Sequence, residues 1–157
     1  YHILETYCYN FFIEYLKDFI KNTEPSEFFK NAEKLKKDEY IISKSIEFIC
    51  SNELSYNWEI DINPLEEDMN KFIAEINENI SGEKLKSVSN WRSDNQNPYY
   101  YHLGRLIYKV RCETAHRKIQ RNPITKYIRS YPEIIKLFNL IMKKISEVII
   151  EREELKL

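Results

Sequence analysis

Apolar residues recur at helical spacing along most of the chain. Ile3, Leu4, Tyr7, Cys8, Phe11, Phe12, Tyr15, Leu16 and Phe19 form one stripe at intervals of three and four residues, the pattern of a helix packed on one side. Pro25, Ser26 and Glu27 stop that helix and open another. Phe28, Ala32, Leu35, Ile42, Ile46 and Ile49 repeat in a 4–3 rhythm broken only by Glu39. This predicts a single long helix to about Cys50, with a kink near Lys37 and Asp38. From Ser51 to Asn63 the period is lost. Trp58, Ile60 and Ile62 alternate with acids there, so a short strand or an extended loop packed by Trp58 is expected. Asn63-Pro64 with Glu66 and Glu67 behind it predicts a helix start, with Asn as cap, Pro in the first turn and acids against the dipole. Leu65, Met69, Phe72, Ile73, Ile76 and Ile80 supply its buried face, and Gly82 its stop. Glu83 to Asn97 is polar apart from Trp91 and reads as a mobile or substrate-facing loop.

The stretch Leu103 to Gln120 differs from the rest. At ~100° per residue it carries two apolar stripes. Leu103, Leu106, Ile107, Val110 and Thr114 form one; Tyr108, Cys112, Ala115 and Ile119 form the other. Two stripes predict burial on both sides, so this helix is either the centre of a bundle or half of an interface with another chain. Arg111 and His116 flank the second stripe, roughly 140° apart around the axis. Asn122-Pro123 stops the helix, and Ile124 to Ile128 reads as one short turn. Pro132 opens a last helix with Ile134, Ile135, Phe138, Ile141, Met142, Ile145, Val148 and Ile149 on its apolar face. The expected fold is all-α: one compact bundle of about five helices over residues 1–157.

Composition narrows the function. The chain has 157 residues and 43% hydrophobic residues, enough for one domain with a packed core. Two glycines leave no material for a phosphate-cradling loop and argue against an all-β fold. Three cysteines without a C-x-x-C pair or a signal peptide point to reduced thiols, a cytoplasmic location and no metal or cofactor. No apolar run reaches the ~20 residues of a membrane helix. The chain begins at Tyr1 inside an apolar pattern, which reads as part of a longer protein with an N-terminal regulatory domain.

Charge is unevenly spread. Pro98 to Tyr131 holds eight cations (Arg105, Lys109, Arg111, Arg117, Lys118, Arg121, Lys126, Arg129) and one acid, Glu113, a net +7. The other 16 basic and 24 acidic residues leave −8. A basic segment in an acidic chain suggests a polyanion partner; the plain alternative is a solvated helix face.

The chemistry on offer is sparse. There is no nucleophile elbow and no H-E-x-x-H. Of His2, His102 and His116, His102 opens the two-striped helix, where it joins a basic groove or lies on the surface as an ordinary histidine. His116 follows Arg111 with four residues between them. An Arg binds phosphate through two parallel hydrogen bonds, and a His moves protons near neutral pH. Such a pair can cleave RNA without metal, by activating the 2′-hydroxyl or protonating the leaving 5′-oxygen. The alternative is a helix with a surface Arg and a surface His.

The run Leu106 to Arg117, LIYKVRCETAHR, resembles the signature helix of HEPN domains. That resemblance implies a dimeric helical bundle and a metal-independent endoribonuclease of the R-x4-6-H type. Its composite active site would form where two motif helices meet, in a toxin or antiviral defence setting with an antitoxin as a further partner. Arg111 would be the phosphate-binding catalytic residue and His116 the catalytic histidine. Cys112 stands where the family often has Asn, and Lys118 where some members carry Tyr. On this reading Lys109, Arg117, Lys118 and Arg121 hold the backbone of single-stranded RNA, Tyr99, Tyr100 and Tyr101 stack bases unless they pack in the core at the helix start, and His102 joins the same RNA-binding groove. Tyr108, Cys112, Ala115 and Ile119 would form the homodimer interface, with small Cys112 and Ala115 allowing close approach. The rivals are a non-catalytic dimerising or RNA- or protein-binding module and, third, a small-nucleotide-binding domain.

Overall fold

A computed structural model describes residues 1–116 and 123–155. The described residues are all-α, without a strand. Five longer helices, α1 (His2–Asn22), α3 (Asp38–Phe48), α5 (Glu66–Asn79), α7 (Tyr99–His116) and α9 (Pro132–Glu154), alternate with short ones, α2 (Pro25–Asn31), α4 (Glu59–Ile62), α6 (Val88–Ser93) and α8 (Pro123–Ser130). A count of about five therefore misses the short helices. None of the described helices is long and apolar enough to cross a membrane.

The centre of the fold is α3. It lies between α1 and α7, and every residue from Ile41 to Ile46 is buried. Its small polar residues make that possible. Ser45 Oγ donates to the Cys8 carbonyl at 2.8 Å, tying α3 to α1, and Ser43 Oγ donates to the Glu39 carbonyl at 2.6 Å. On the other side Gly104 of α7 sits against Ser43. A Cβ built on Gly104 would lie 2.8 Å from Ser43 Cα and 2.9 Å from its carbonyl oxygen, so the two backbones meet only because neither residue is large. α7 is buried all round from His102 to Ile107, as two apolar stripes require, but its partner α3 is the more enclosed of the two. α9 closes the bundle against α1 and α8, with Ile141, Ile145 and Ile149 fully buried.

The single helix expected up to Cys50 is broken. α2 buries nothing, and a 3₁₀ turn at Lys34–Lys36 leads to Lys37 in extended conformation. The reason lies at Glu39. As the one polar residue in the rhythm it has a charge to satisfy, and the break sets it in the first turn of α3 against Arg105 and Lys109 of α7. The aperiodic stretch after it folds as a π-helical turn, Ile49–Glu53, and then α4, with Trp58 buried.

The segment from Glu83 to Asn97 is bound down rather than loose. Asn77 of α5 grips Leu85 twice, its Nδ2 donating to the carbonyl at 2.9 Å and its Oδ1 accepting the N–H at 2.8 Å. Asn70, two turns earlier, accepts the Val88 N–H at 2.9 Å. Leu85, Val88 and Trp91 are all buried.

Lys44 is the odd resident of the core. Its side chain is 8% exposed and pairs with Glu47 at 2.7 Å. The ammonium lies 4.7 Å from the Tyr101 ring centroid, 5.0 Å from Tyr15 and 5.9 Å from Tyr40. A desolvated cation–π contact contributes about 2 kcal/mol, and removing one member of a buried ion pair costs about 3–5 kcal/mol. Lys44→Ala is expected to lose stability in that range by urea denaturation, and Lys44→Met, which keeps the stem, to lose less. Parental stability in Lys44→Ala would show that the cage contributes nothing.

Candidate functional site

Arg111 and Tyr108 of α7 lie against the start of α1. The Arg111 guanidinium holds Glu5 with Nη2 2.8 Å from Oε1, the two side chains being 34% and 33% exposed. It also lies 5.4 Å from the centroid of the Tyr1 ring. Beside it runs a groove of about 360 Å³, lined by Glu5, Cys8 and Tyr9 of α1, Asp38, Ile41 and Ile42 of α3, and Tyr108 and Arg111 of α7. Burial and then the neighbouring Cys112 thiol push Tyr108 up to about 12, and burial pushes the Cys8 thiol up to about 11. Both stay protonated at neutral pH and serve no base role. The groove thus offers one guanidinium to a phosphate, with Glu5 in the place that phosphate oxygens would take.

Position 116 lies in the last turn of α7, five residues after Arg111, and position 115 beside it. Tyr108 and Cys112, the first half of the expected interface, are half-buried within the chain. Arg117, Lys118, Ile119 and Arg121 lie outside the described residues.

The other expected RNA contacts sit in a different place. Lys109 is 15% exposed and pairs with Glu39 at 2.5 Å. Arg105 is 4% exposed and reaches the other oxygen of the same carboxylate at 2.8 Å. Burial raises the Glu39 carboxyl, but hydrogen bonds from Lys109 and Arg105 outweigh it and hold the group below its usual range. Lys126 is paired with Glu75 at 2.8 Å. Half of the segment's eight cations are therefore answered from within: Arg105 and Lys109 share Glu39, Arg111 holds Glu5 and Lys126 holds Glu75. Charge separated along the sequence is joined in space. Tyr101 belongs to the cage around Lys44 rather than to a free stacking surface, Tyr99 packs on Trp91, and the Tyr100 hydroxyl donates to Asn57 at 3.2 Å.

His102 is neither in a groove nor on the surface. It is 3% exposed, stacked on Trp91 with 6.2 Å between ring centroids, and its Nε2 lies 2.9 Å from Asp94 Oδ2. Asp94 also accepts from Lys86 Nζ at 2.7 Å and from the Gln96 N–H at 2.9 Å. Burial lowers the histidine's pKa against the pull of Asp94, so the ring is neutral and donates its Nε2–H to the carboxylate. The unfolded chain takes up this proton near pH ~6.5 while the fold resists it. Stability present above that pH is lost as the pH falls through it. The melting temperature is expected to drop from about pH 7 to about pH 5 by more in the parent than in His102→Gln. Equal drops would place the titration elsewhere.

Among the described residues no cluster of His, Cys, Asp and Glu could hold a metal ion. Compared with known proteins, the chain matches no family model, no curated protein and no solved structure.

Proposed function

We propose that this chain is a HEPN-like, metal-independent endoribonuclease that cleaves single-stranded RNA and works in the cytoplasm as part of a toxin or antiviral defence system. The observation that carries the reading is Arg111. It stands on a groove wall, held by a carboxylate that a phosphate can replace, five residues before a histidine on the same helix of an all-α chain. In the reaction Arg111 binds the non-bridging oxygens of the scissile phosphate. His116 exchanges protons with the 2′-hydroxyl or the 5′-oxygen. The 2′-oxygen attacks phosphorus, the bond to the 5′-oxygen breaks, and that oxygen leaves with a proton. The products are a 2′,3′-cyclic phosphate and a 5′-hydroxyl. Within one chain positions 111 and 116 lie roughly 140° apart around α7, so a composite site across a homodimer, built on Tyr108, Cys112, Ala115 and Ile119, suits the pair better than a site in one chain.

The mechanism predicts its own substrate requirement. A strand with 2′-deoxyribose throughout is expected to stay intact while its ribose counterpart is cut. Cleavage of both at equal rates, read on a denaturing gel, would rule out 2′-oxygen attack.

The rival is a non-catalytic helical module that binds a partner. The internal pairing of Lys109 with Glu39 and of His102 with Asp94, and the place of Tyr101 beside Lys44, favour it, since none of the three is an open contact for a strand at Arg111. Tight RNA binding without cleavage would decide for it.

A further inference from the structure

A second pocket shares no lining residue with the groove at Arg111. Its volume is about 360 Å³, within the size of small-ligand sites. Lys34 and Lys37 enter from the turn before α3, Glu39 from α3, Gln96 from the 83–97 segment, and Arg105 and Lys109 from α7. We propose that this pocket binds a phosphate monoester, carried either by a free nucleotide or by the end of an RNA strand.

The charge balance carries the argument. Four cations line the pocket and two carboxylates answer them. Glu39 is committed to Arg105 and Lys109 together. Glu83 is 79% exposed and reaches Arg105 only at 3.3 Å. Lys34 and Lys37 are exposed and make no ion pair with a described residue. The pocket is thus left with two positive charges over. A phosphate monoester above its second pKa of about 6 carries two negative ones, whereas an internal phosphodiester carries one and needs an exit for the chain on both sides. The floor is built rather than incidental, because Arg105 is buried with its donors fixed by Glu39 and Glu83. Amide side chains at Gln96 and Asn97 add hydrogen-bonding groups on the wall. None of this depends on Arg111 or His116.

Isothermal titration of the full chain tests it, with AMP and with short RNA strands bearing a 5′-phosphate or a 5′-hydroxyl as probes. AMP is expected to bind saturably, one per chain. Binding should weaken at least tenfold in Lys34→Ala/Lys37→Ala, two exposed positions whose loss spares the fold, and remain in Lys136→Ala/Lys143→Ala on α9. It should also weaken as the pH falls through about 6 and the monoester gains a proton. A 5′-phosphorylated strand that binds tighter than AMP assigns the pocket to RNA ends; the reverse order assigns it to free nucleotides. Absence of saturable binding of both AMP and the phosphorylated strand, or equal binding by the Lys34→Ala/Lys37→Ala variant, overturns the proposal. A chain that binds AMP here but cuts no RNA keeps this pocket and discards the nuclease.

Discussion

Gly104→Val is expected to cost the fold about 3 kcal/mol, the upper end of what overpacking a close contact costs. The new carbons would press on Ser43 Cα and its carbonyl oxygen, which a Cβ alone approaches to 2.8 and 2.9 Å. These are backbone atoms and no rotamer change relieves them. α3 and α7 would have to part, and they carry the most enclosed stretches among the described residues, Ile41 to Ile46 and His102 to Ile107. Gly104→Ala should lose less, because alanine's roughly 1 kcal/mol advantage in a helix offsets part of the clash. Urea denaturation reads both. A Gly104→Val chain as stable as the parent would mean that the two helices do not meet at this residue.

That contact also marks what could be read from the chain alone. The apolar stripes of α1, α5, α7 and α9 announce themselves, because a helix packed on one side writes its period into the sequence. The role of α3 does not. It is buried through Ser43, Lys44 and Ser45 as much as through its isoleucines, and polar residues count as surface until their partners are known. Glu39 is the same case: an interruption in the rhythm along the chain, a bridge to Arg105 and Lys109 in space. The 83–97 segment reads as loose because what holds it, Asn70 and Asn77, lies on another helix. The motif Arg111 to His116 is visible in the sequence, and its helical setting with it. That Arg111 faces Glu5 was not, since the two are brought together only when α1 and α7 flank α3.

Arg111→Ala and His116→Ala are expected to lower RNA cleavage by about 10²–10³ and 10²–10⁴, the effects of removing a charge stabiliser and a general acid–base group. Neither loss should come from unfolding in the case of Arg111. Its ion pair with Glu5 is one third exposed on each side, where such pairs contribute at most about 1 kcal/mol, and its contact with the half-buried Tyr1 ring adds about 0.5–1 kcal/mol, a loss that a folded bundle tolerates. Helical circular dichroism and the melting curve of Arg111→Ala should therefore stay close to those of the parent. Glu5→Gln acts in the other direction, since the guanidinium no longer holds a carboxylate that RNA must displace. Its half-saturating RNA concentration should fall. An Arg111→Ala chain that melts early would make the residue structural, and one that cuts like the parent would remove it from the site.

The most direct test is cleavage of a single-stranded RNA by the pure chain in EDTA, beside Arg111→Ala and His116→Ala. The account predicts cutting by the parent despite the chelator, products ending in 2′,3′-cyclic phosphate, and cutting at least about a hundredfold slower in either folded variant. An inert parent, or variants as active as the parent, would contradict it.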